Sequence, residues 1–112
     1  MSPIRSYREF WPYYVREHTR PLTRQMHFIG TAGALGLIVV AGILAQPWLL
    51  PCALASGYGF AWAAHLFVER NRPATFTYPV KSLFGDFHMF ALMWAGRMDD
   101  EVRKHTSPPA RI

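Results

Sequence analysis

The chain has 112 residues, about half of them apolar, with a formal charge of +5 and one cysteine. This length fits a single domain. The basic residues flank apolar runs, which favours a membrane protein over one that binds nucleic acid. Cys52 has no partner for an internal disulfide. The first residues are aromatic and charged without an apolar signal-peptide core, so no cleavage is expected.

The first predicted element is an amphipathic helix over residues 6–18. Its apolar and aromatic residues recur at helical spacing, which is typical of a helix at the water–lipid boundary: Phe10, Trp11, Tyr14 and Val15. Proline is tolerated in the first turn of a helix and disfavours helical geometry in the residue before it. One helix therefore ends near His18 and the next begins near Pro21.

Two long apolar runs follow this break. Residues 28–45 carry no charge, and residues 48–68 carry none except on His65. Each run approaches the ~20 residues that a membrane-spanning helix needs. We predict transmembrane helices over residues 22–46 and 48–69, joined by a turn at Gln46-Pro47. The alternative is a pair of buried helices in a soluble protein, but so short a chain has little polar mass to cover them.

The short turn makes the two spans antiparallel neighbours. Small residues let helices approach closely in lipid, and they line both spans: Gly30, Gly33, Ala34, Gly36 and Ala41 on the first, Ala53, Ala55, Gly57, Gly59, Ala61 and Ala64 on the second. The turn is uncharged, whereas arginine and lysine flank the outer ends. Both termini are therefore predicted to be cytoplasmic.

Beyond the spans, a polar loop leads to a second apolar and aromatic segment. Its uninterrupted apolar stretch is too short to cross a bilayer, so we predict an interfacial helix over residues 79–98. The charged residues 99–112 are predicted to be a flexible tail. The chain is thus predicted to form one all-α membrane domain, a transmembrane helical hairpin flanked by interfacial amphipathic helices at both ends.

Two histidines are predicted to lie at the same depth. His27 precedes the turn by about twenty residues and His65 follows it by about eighteen, which at ~1.5 Å per residue places both roughly 27–30 Å from the turn. Antiparallel pairing brings them level at the cytoplasmic rim. Glu69 follows His65 by four residues and shares its helix face. The break at Pro21 lets the chain fold His18 back towards His27.

Three imidazoles and a carboxylate could therefore converge at one membrane boundary, with Asp86 and His88 as further candidates. Imidazole suits zinc, iron, copper and nickel, and a histidine and carboxylate set with open positions is what non-haem Fe(II) uses to activate oxygen. Ionisable groups within a membrane are costly, which favours a functional role. No local motif such as HExxH supports the site.

Structural roles remain open for each of these residues. His18 could satisfy helix-end carbonyls, His27 could be solvated, and His65 could bond a neighbouring backbone group. Glu69 could pair with Arg70 or Arg72, whereas Asp86 and His88 could be surface residues. The shared depth of His27 and His65 is what favours a site.

Over roughly residues 7–98 the chain resembles a known family. The carriers are a tyrosine-rich helix before His18, the segment His27-Phe28-Ile29-Gly30, and a block containing His65, Glu69-Arg70 and Arg72-Pro73-Ala74. Together they resemble the Mpo1-like family, also known as the DUF962 domain. The fungal member of that family is a membrane enzyme of the endoplasmic reticulum. It is an Fe(II)-dependent dioxygenase that shortens 2-hydroxy fatty acids by one carbon, the alpha-oxidation step in phytosphingosine breakdown.

The resemblance implies that His18, His27 and His65 are iron ligands and that Glu69 matches the family's acidic residue. One histidine stands at position 18 where the fungal pattern has a pair, and this chain has fewer apolar segments. The segment around Asp86 resembles a bacterial branch, so the fungal enzyme gives that residue no role. Four arginines are candidates for binding the substrate carboxylate: Arg20, Arg24, Arg70 and Arg72.

We therefore predict an Fe(II)-dependent oxygenase that acts with O2 on a fatty-acid-like substrate in the lipid bilayer, with Glu69 and Asp86 as catalytic candidates. The alternatives are a non-catalytic membrane scaffold or assembly protein with structural histidines, and a metal or proton transporter. A single hairpin supplies no second gate for transport unless it oligomerises, and a homo-oligomer stays open. The short sequence, rich in alanine and arginine, indicates a bacterial inner membrane.

Overall fold

The computed structural model describes residues 3–106, and the regular secondary structure within that range is helical throughout. Five α-helices are present there: α1 (Tyr7–Arg16), α2 (Pro21–Leu44), α3 (Leu49–Ala63), α4 (Pro79–Trp94) and α5 (Met98–Thr106). The chain forms two compact units, one from Met1–Thr19 with Ala74–Ile112 and one from Arg20–Pro73. We call the first the aromatic unit and the second the α2–α3 unit.

The α2–α3 unit follows the predicted breaks closely. Pro21 occupies the first turn of α2, where its fixed φ suits a helix, and Ala45 ends the helix in the left-handed region at φ 52°. A short turn leads to α3, which continues as a π-helical segment over Ala64–Glu69. Arg70 ends this segment, again with a left-handed backbone at φ 61°. These elements cover the predicted spans 22–46 and 48–69 with ends shifted by a few residues.

Small residues bring α2 and α3 into close contact at part of the predicted face. The Ser56 hydroxyl donates to the Gly30 carbonyl at 3.0 Å. A Cβ atom at Gly30 would lie 2.7 Å from Cβ of Phe60, so this glycine is needed for the approach. The prediction is wrong for Gly36, Ala55 and Gly59, which are exposed. Small size does not determine which side of a helix meets its neighbour.

One helix in the described part of the chain, α2, is long and apolar enough to cross a membrane. Only 22% of its most apolar window is buried, whereas the core helix of a soluble protein is mostly buried. Large apolar side chains are exposed instead, including Val39 at 59% and Ile43 at 76%. This surface is consistent with a membrane protein. The second span and the transmembrane hairpin stay predictions, since α3 has 15 residues.

The aromatic unit is built around the apolar face of α1. The Ser6 side chain accepts from the Glu9 backbone N–H and caps the helix, which begins at Tyr7 and ends at Arg16 within the predicted range 6–18. The core contains residues from α1, the short 3-10 turn Ala74–Phe76, α4 and α5: Phe10, Trp11, Tyr14, Val15, Ala74, Met89 and Met98. The predicted lipid-facing role of this α1 face is wrong, because these side chains are buried against protein.

The segment predicted as one interfacial helix over residues 79–98 is shorter than expected. It forms α4, which ends at Trp94, and Gly96 then adopts φ 73°. A large part of α4 is apolar and exposed, including Val80 at 67% and Phe84 at 63%. The flexible tail predicted for residues 99–112 is wrong for residues 99–106, which belong to α5. The rest of that segment lies outside the described residues.

Candidate metal centre

Two of the predicted ligands meet within the α2–α3 unit. The His27 and His65 rings lie 5.0 Å apart between centroids and are perpendicular. Each side chain is 3% exposed. His27 comes from the first two turns of α2 and His65 from the π-helical segment. Their predicted proximity is confirmed, and it follows from the short turn, which places residues equally far from it side by side.

A residue that sequence reasoning missed orients His65. Nδ1 of His65 lies 2.6 Å from Oδ1 of Asn71, and the Asn71 backbone N–H donates to the His65 carbonyl at 2.9 Å. This return of the chain depends on the π-helical segment and on the left-handed backbone of Arg70. Such single π-helical turns are frequent at functional sites. The sequence signal for this contact was the amide side chain of Asn71 just after the end of the apolar helix.

His27 is oriented by its own helix, and His18 is oriented by the end of α1, which it follows by two residues. Nδ1 of His27 lies 2.9 Å from the Thr23 carbonyl oxygen, four residues earlier. In the aromatic unit, Nδ1 of His18 lies 2.6 Å from the Tyr14 carbonyl oxygen, again four residues earlier. The His18 ring also stacks on the Tyr14 ring at 4.0 Å and is 1% exposed. Sequence reasoning identified both histidines but not these carbonyl partners.

The three histidines share one hydrogen-bonding pattern. In each ring Nδ1 faces an oxygen that can only accept, so Nδ1 carries the proton and Nε2 carries the lone pair. Metal-binding histidines characteristically have this arrangement, in which a carbonyl or carboxylate fixes the tautomer and the ring direction. Each of the residues His18, His27 and His65 is therefore a candidate metal ligand. Their chemistry fits a transition metal that accepts neutral imidazole.

Glu69 and Asp86 do not belong to this histidine group as it occurs among residues 3–106. Glu69 instead accepts from the Arg20 backbone N–H at 2.6 Å and so contacts the start of α2. Glu69 and His65 lie four residues apart in the π-helical segment, whose backbone bonds run to the fifth residue. That Glu69 shares the face of His65 stays a prediction.

The four candidate arginines differ in burial. Arg24 is 6% exposed and lies on α2 three residues before His27, which places it on the same side of the helix. Arg20, Arg70 and Arg72 are exposed. Sequence alone did not separate these four. Of these four arginines, Arg24 is closest in sequence to the histidine pair, and like both histidines it is buried.

Asp86 contacts the residue that orients His18. The Tyr14 hydroxyl donates to Oδ1 of Asp86 at 2.5 Å. Burial raises the pKa of Asp86 to about 6, although the hydrogen bond from Tyr14 opposes this shift. Burial, together with the charge of Asp86, raises the pKa of Tyr14 well above its ordinary value. Gly85 makes the contact feasible, since a Cβ atom there would lie 2.8 Å from the Tyr14 ring.

His88 packs against aromatic side chains of α1. Its Nδ1 lies 2.9 Å from the Tyr7 hydroxyl, and its ring stacks on Trp11 at 3.8 Å. Burial lowers the pKa of His88, and it raises that of Tyr7 to about 12. Trp11 also donates to Glu101 of α5 at 2.7 Å. These contacts give His88 a packing role in this unit and explain why α5 is ordered.

Comparison with known proteins identifies a family for this chain. A family model described as 2-hydroxy-palmitic acid dioxygenase Mpo1-like matches residues 4–98. No curated protein and no solved structure matches the chain. The matched region contains all three buried histidines and most of the described chain. The chain belongs to the Mpo1-like family.

Proposed function

We propose that this protein is an Fe(II)-dependent dioxygenase that shortens 2-hydroxy fatty acids by one carbon, with His18, His27 and His65 as the iron ligands. The observation that carries the proposal is the shared state of the three rings, each with Nδ1 bonded to an oxygen acceptor. The family description, which names a 2-hydroxy-palmitic acid dioxygenase, supports the reaction class.

The protein's own residues would prepare the site in two ways, by orienting the ligands and by binding the substrate. The Thr23 and Tyr14 carbonyls and the Asn71 amide oxygen hold the imidazoles as neutral donors. Bound Fe(II) would supply oxygen activation and would polarise the substrate oxygens. Arg24 would pair with the substrate carboxylate.

Glu69 and Asp86, predicted as catalytic candidates, would act by positioning. Glu69 holds the backbone at the start of α2, the helix that carries His27. Asp86 holds the hydroxyl of Tyr14, the residue that orients His18. Glu69 therefore contacts the start of the helix that carries one proposed ligand, and Asp86 contacts the residue that orients another. Their replacement should alter the geometry of the site more than it alters any proton transfer.

We place the reaction at a membrane, which suits an amphiphilic acid. The exposed apolar surface of α2 supports this location. The bacterial inner membrane and cytoplasmic termini remain part of the proposal, as does a homo-oligomer. Reporter fusions at the two ends of the chain would test the orientation. Activity of the two fusions on opposite sides of the membrane would contradict it.

The test of the metal site is elemental analysis of purified protein in detergent. Wild-type protein should hold about one iron per chain, and replacing His18, His27 or His65 by alanine should remove most of it. His105→Ala is the matched control, because this histidine belongs to α5 and contacts Glu101. Full retention of metal in all three variants would contradict the site. It would favour the scaffold with structural histidines.

The test of the reaction is mass spectrometry of products. Iron-loaded protein with O2 should convert 2-hydroxyhexadecanoic acid to the fifteen-carbon acid, with CO2 and water as the other products of a balanced one-carbon shortening of the acid that the family description names. Hexadecanoic acid of equal length is the control substrate. Unchanged 2-hydroxy acid, or equal shortening of both acids, would refute the reaction while leaving the metal site in place.

A further inference from the structure

One buried polar atom in the described part of the chain has no hydrogen-bond partner. It is Oγ1 of Thr23, and the Thr23 side chain is fully buried. A buried hydroxyl without a protein partner destabilises a folded protein, so such groups are rare and are explained by strain, by a bound water or ion, or by a functional role. The Thr23 carbonyl is the group that orients His27. The unpartnered hydroxyl is thus on the residue that fixes a proposed ligand.

The surroundings of Thr23 on α2 are polar in an otherwise apolar helix. Thr23, Arg24 and His27 are all buried, whereas Pro21, Leu22 and Gln25 between and before them are exposed. The first turn of α2 carries no acidic side chain. The start of a helix favours negative charge through its aligned backbone dipoles. Glu69 already accepts from the Arg20 backbone N–H at this helix start, so the hydroxyl donor and the guanidinium group are the groups suited to a further carboxylate.

We propose that the Thr23 hydroxyl donates a hydrogen bond to the carboxylate of the amphiphilic acid, beside Arg24. This inference rests on the proposed function for the identity of the acid. It adds a specificity residue that no histidine pattern indicates. The hydroxyl lacks a partner in the protein because the ligand is its partner. Thr23 therefore lowers the stability of the ligand-free protein and strengthens binding of the acid.

The experiment uses Thr23→Val, which keeps the branched shape and removes the hydroxyl, in full-length metal-free protein in detergent. Thr23→Ser restores the hydroxyl without the methyl group. Thr31→Val is the matched control, because Thr31 is also a buried threonine of α2. The measurements are the melting temperature without ligand and the Kd values for hexadecanoic and 2-hydroxyhexadecanoic acid.

Thr23→Val should melt about 3–8 °C higher than wild type, because an unsatisfied buried hydroxyl is removed. It should bind both acids about tenfold or more weakly, since a hydrogen bond to a charged group is lost. Thr23→Ser should bind within about threefold of wild type, because it keeps that bond. Thr31→Val should leave both Kd values unchanged.

Three results would overturn the inference. Wild-type affinity in Thr23→Val, or equal weakening in Thr31→Val, would remove Thr23 from the binding site while the metal and product tests still stand. Weakening for the 2-hydroxy acid alone would assign the bond to its 2-hydroxyl and refute the carboxylate. Absence of binding of either acid to wild-type protein would refute this inference, and product analysis with iron-loaded protein would still test the proposed substrate separately.

Discussion

Replacing Asp86 by asparagine is expected to change how stability depends on pH. In the folded protein the Asp86 carboxyl accepts from Tyr14, and burial raises its pKa to about 6 from an ordinary value of 3.8. Asparagine keeps an oxygen that accepts the same hydrogen bond but cannot ionise. The variant therefore isolates the effect of placing a negative charge at this position.

The sign follows from proton binding. Between about pH 4 and pH 6 the folded protein keeps a proton on Asp86 that the unfolded chain has lost, so wild-type stability falls as pH rises through this window. A shift of about two units corresponds to about 3 kcal/mol above pH 6. Because Asp86 is only partly buried as a residue, water screens some of this effect and about 1–3 kcal/mol is expected.

The assay is thermal melting in detergent from pH 4 to pH 8. Asp86→Asn should melt near the wild-type temperature at pH 4 and about 4–12 °C higher at pH 8. Other groups titrate in both proteins, so the difference between the two curves reports Asp86. Asp99→Asn, which removes an exposed carboxylate, is the matched control. Parallel curves for wild type and Asp86→Asn would refute the reasoning, because a buried charge could not then oppose folding.

Substitutions test three further contacts, those of Asn71, Gly30 and Glu69. Asn71→Ala should lower metal affinity about 10–100-fold by releasing the His65 ring, whereas Asn71→Asp should retain most of it; competition with a chelator measures both. Gly30→Ala should lower the melting temperature by about 4 °C or more through overlap with Phe60. Gly36→Ala, with nothing within 4 Å, should not lower it. Glu69→Gln keeps an oxygen that can accept from Arg20, so its turnover should stay near wild type, whereas Glu69→Ala should lower turnover; a large loss of turnover in Glu69→Gln would refute a positioning role.

Most of the helices could be predicted from the sequence because proline residues mark where helices begin. Prolines begin α2 and α4 near the expected positions. The proximity of His27 and His65 followed from counting residues on either side of a short turn. What counting could not supply was the π-helical segment, after which the chain brings Asn71 to His65. Nothing in an apolar run marks where a helix widens.

The two errors about the ends of the chain have different causes. An apolar helix face has the same spacing whether lipid or protein covers it, so the pattern of α1 could not distinguish them. For α5 a signal was present. Acidic residues occupy its first turn and basic residues its last, which complements the helix dipole. The segment is nevertheless predicted to be a tail, because it has many charged residues and only one buried apolar residue, Met98.

The orientation of each proposed ligand is a local property. His18 is fixed within the aromatic unit by Tyr14, and His27 and His65 are fixed within the α2–α3 unit by Thr23 and Asn71. The Thr23–His27 contact joins residues four apart on α2, and the Tyr14–His18 contact joins α1 to a residue two positions beyond its end, so both are local in sequence. The tautomers of the three imidazole rings would therefore be set before the proposed metal binds. Preorganisation of this kind lowers the ordering entropy lost on binding. It also explains how a chain with so small a core could hold a metal, since the ligands do not depend on a large packed interior for their direction.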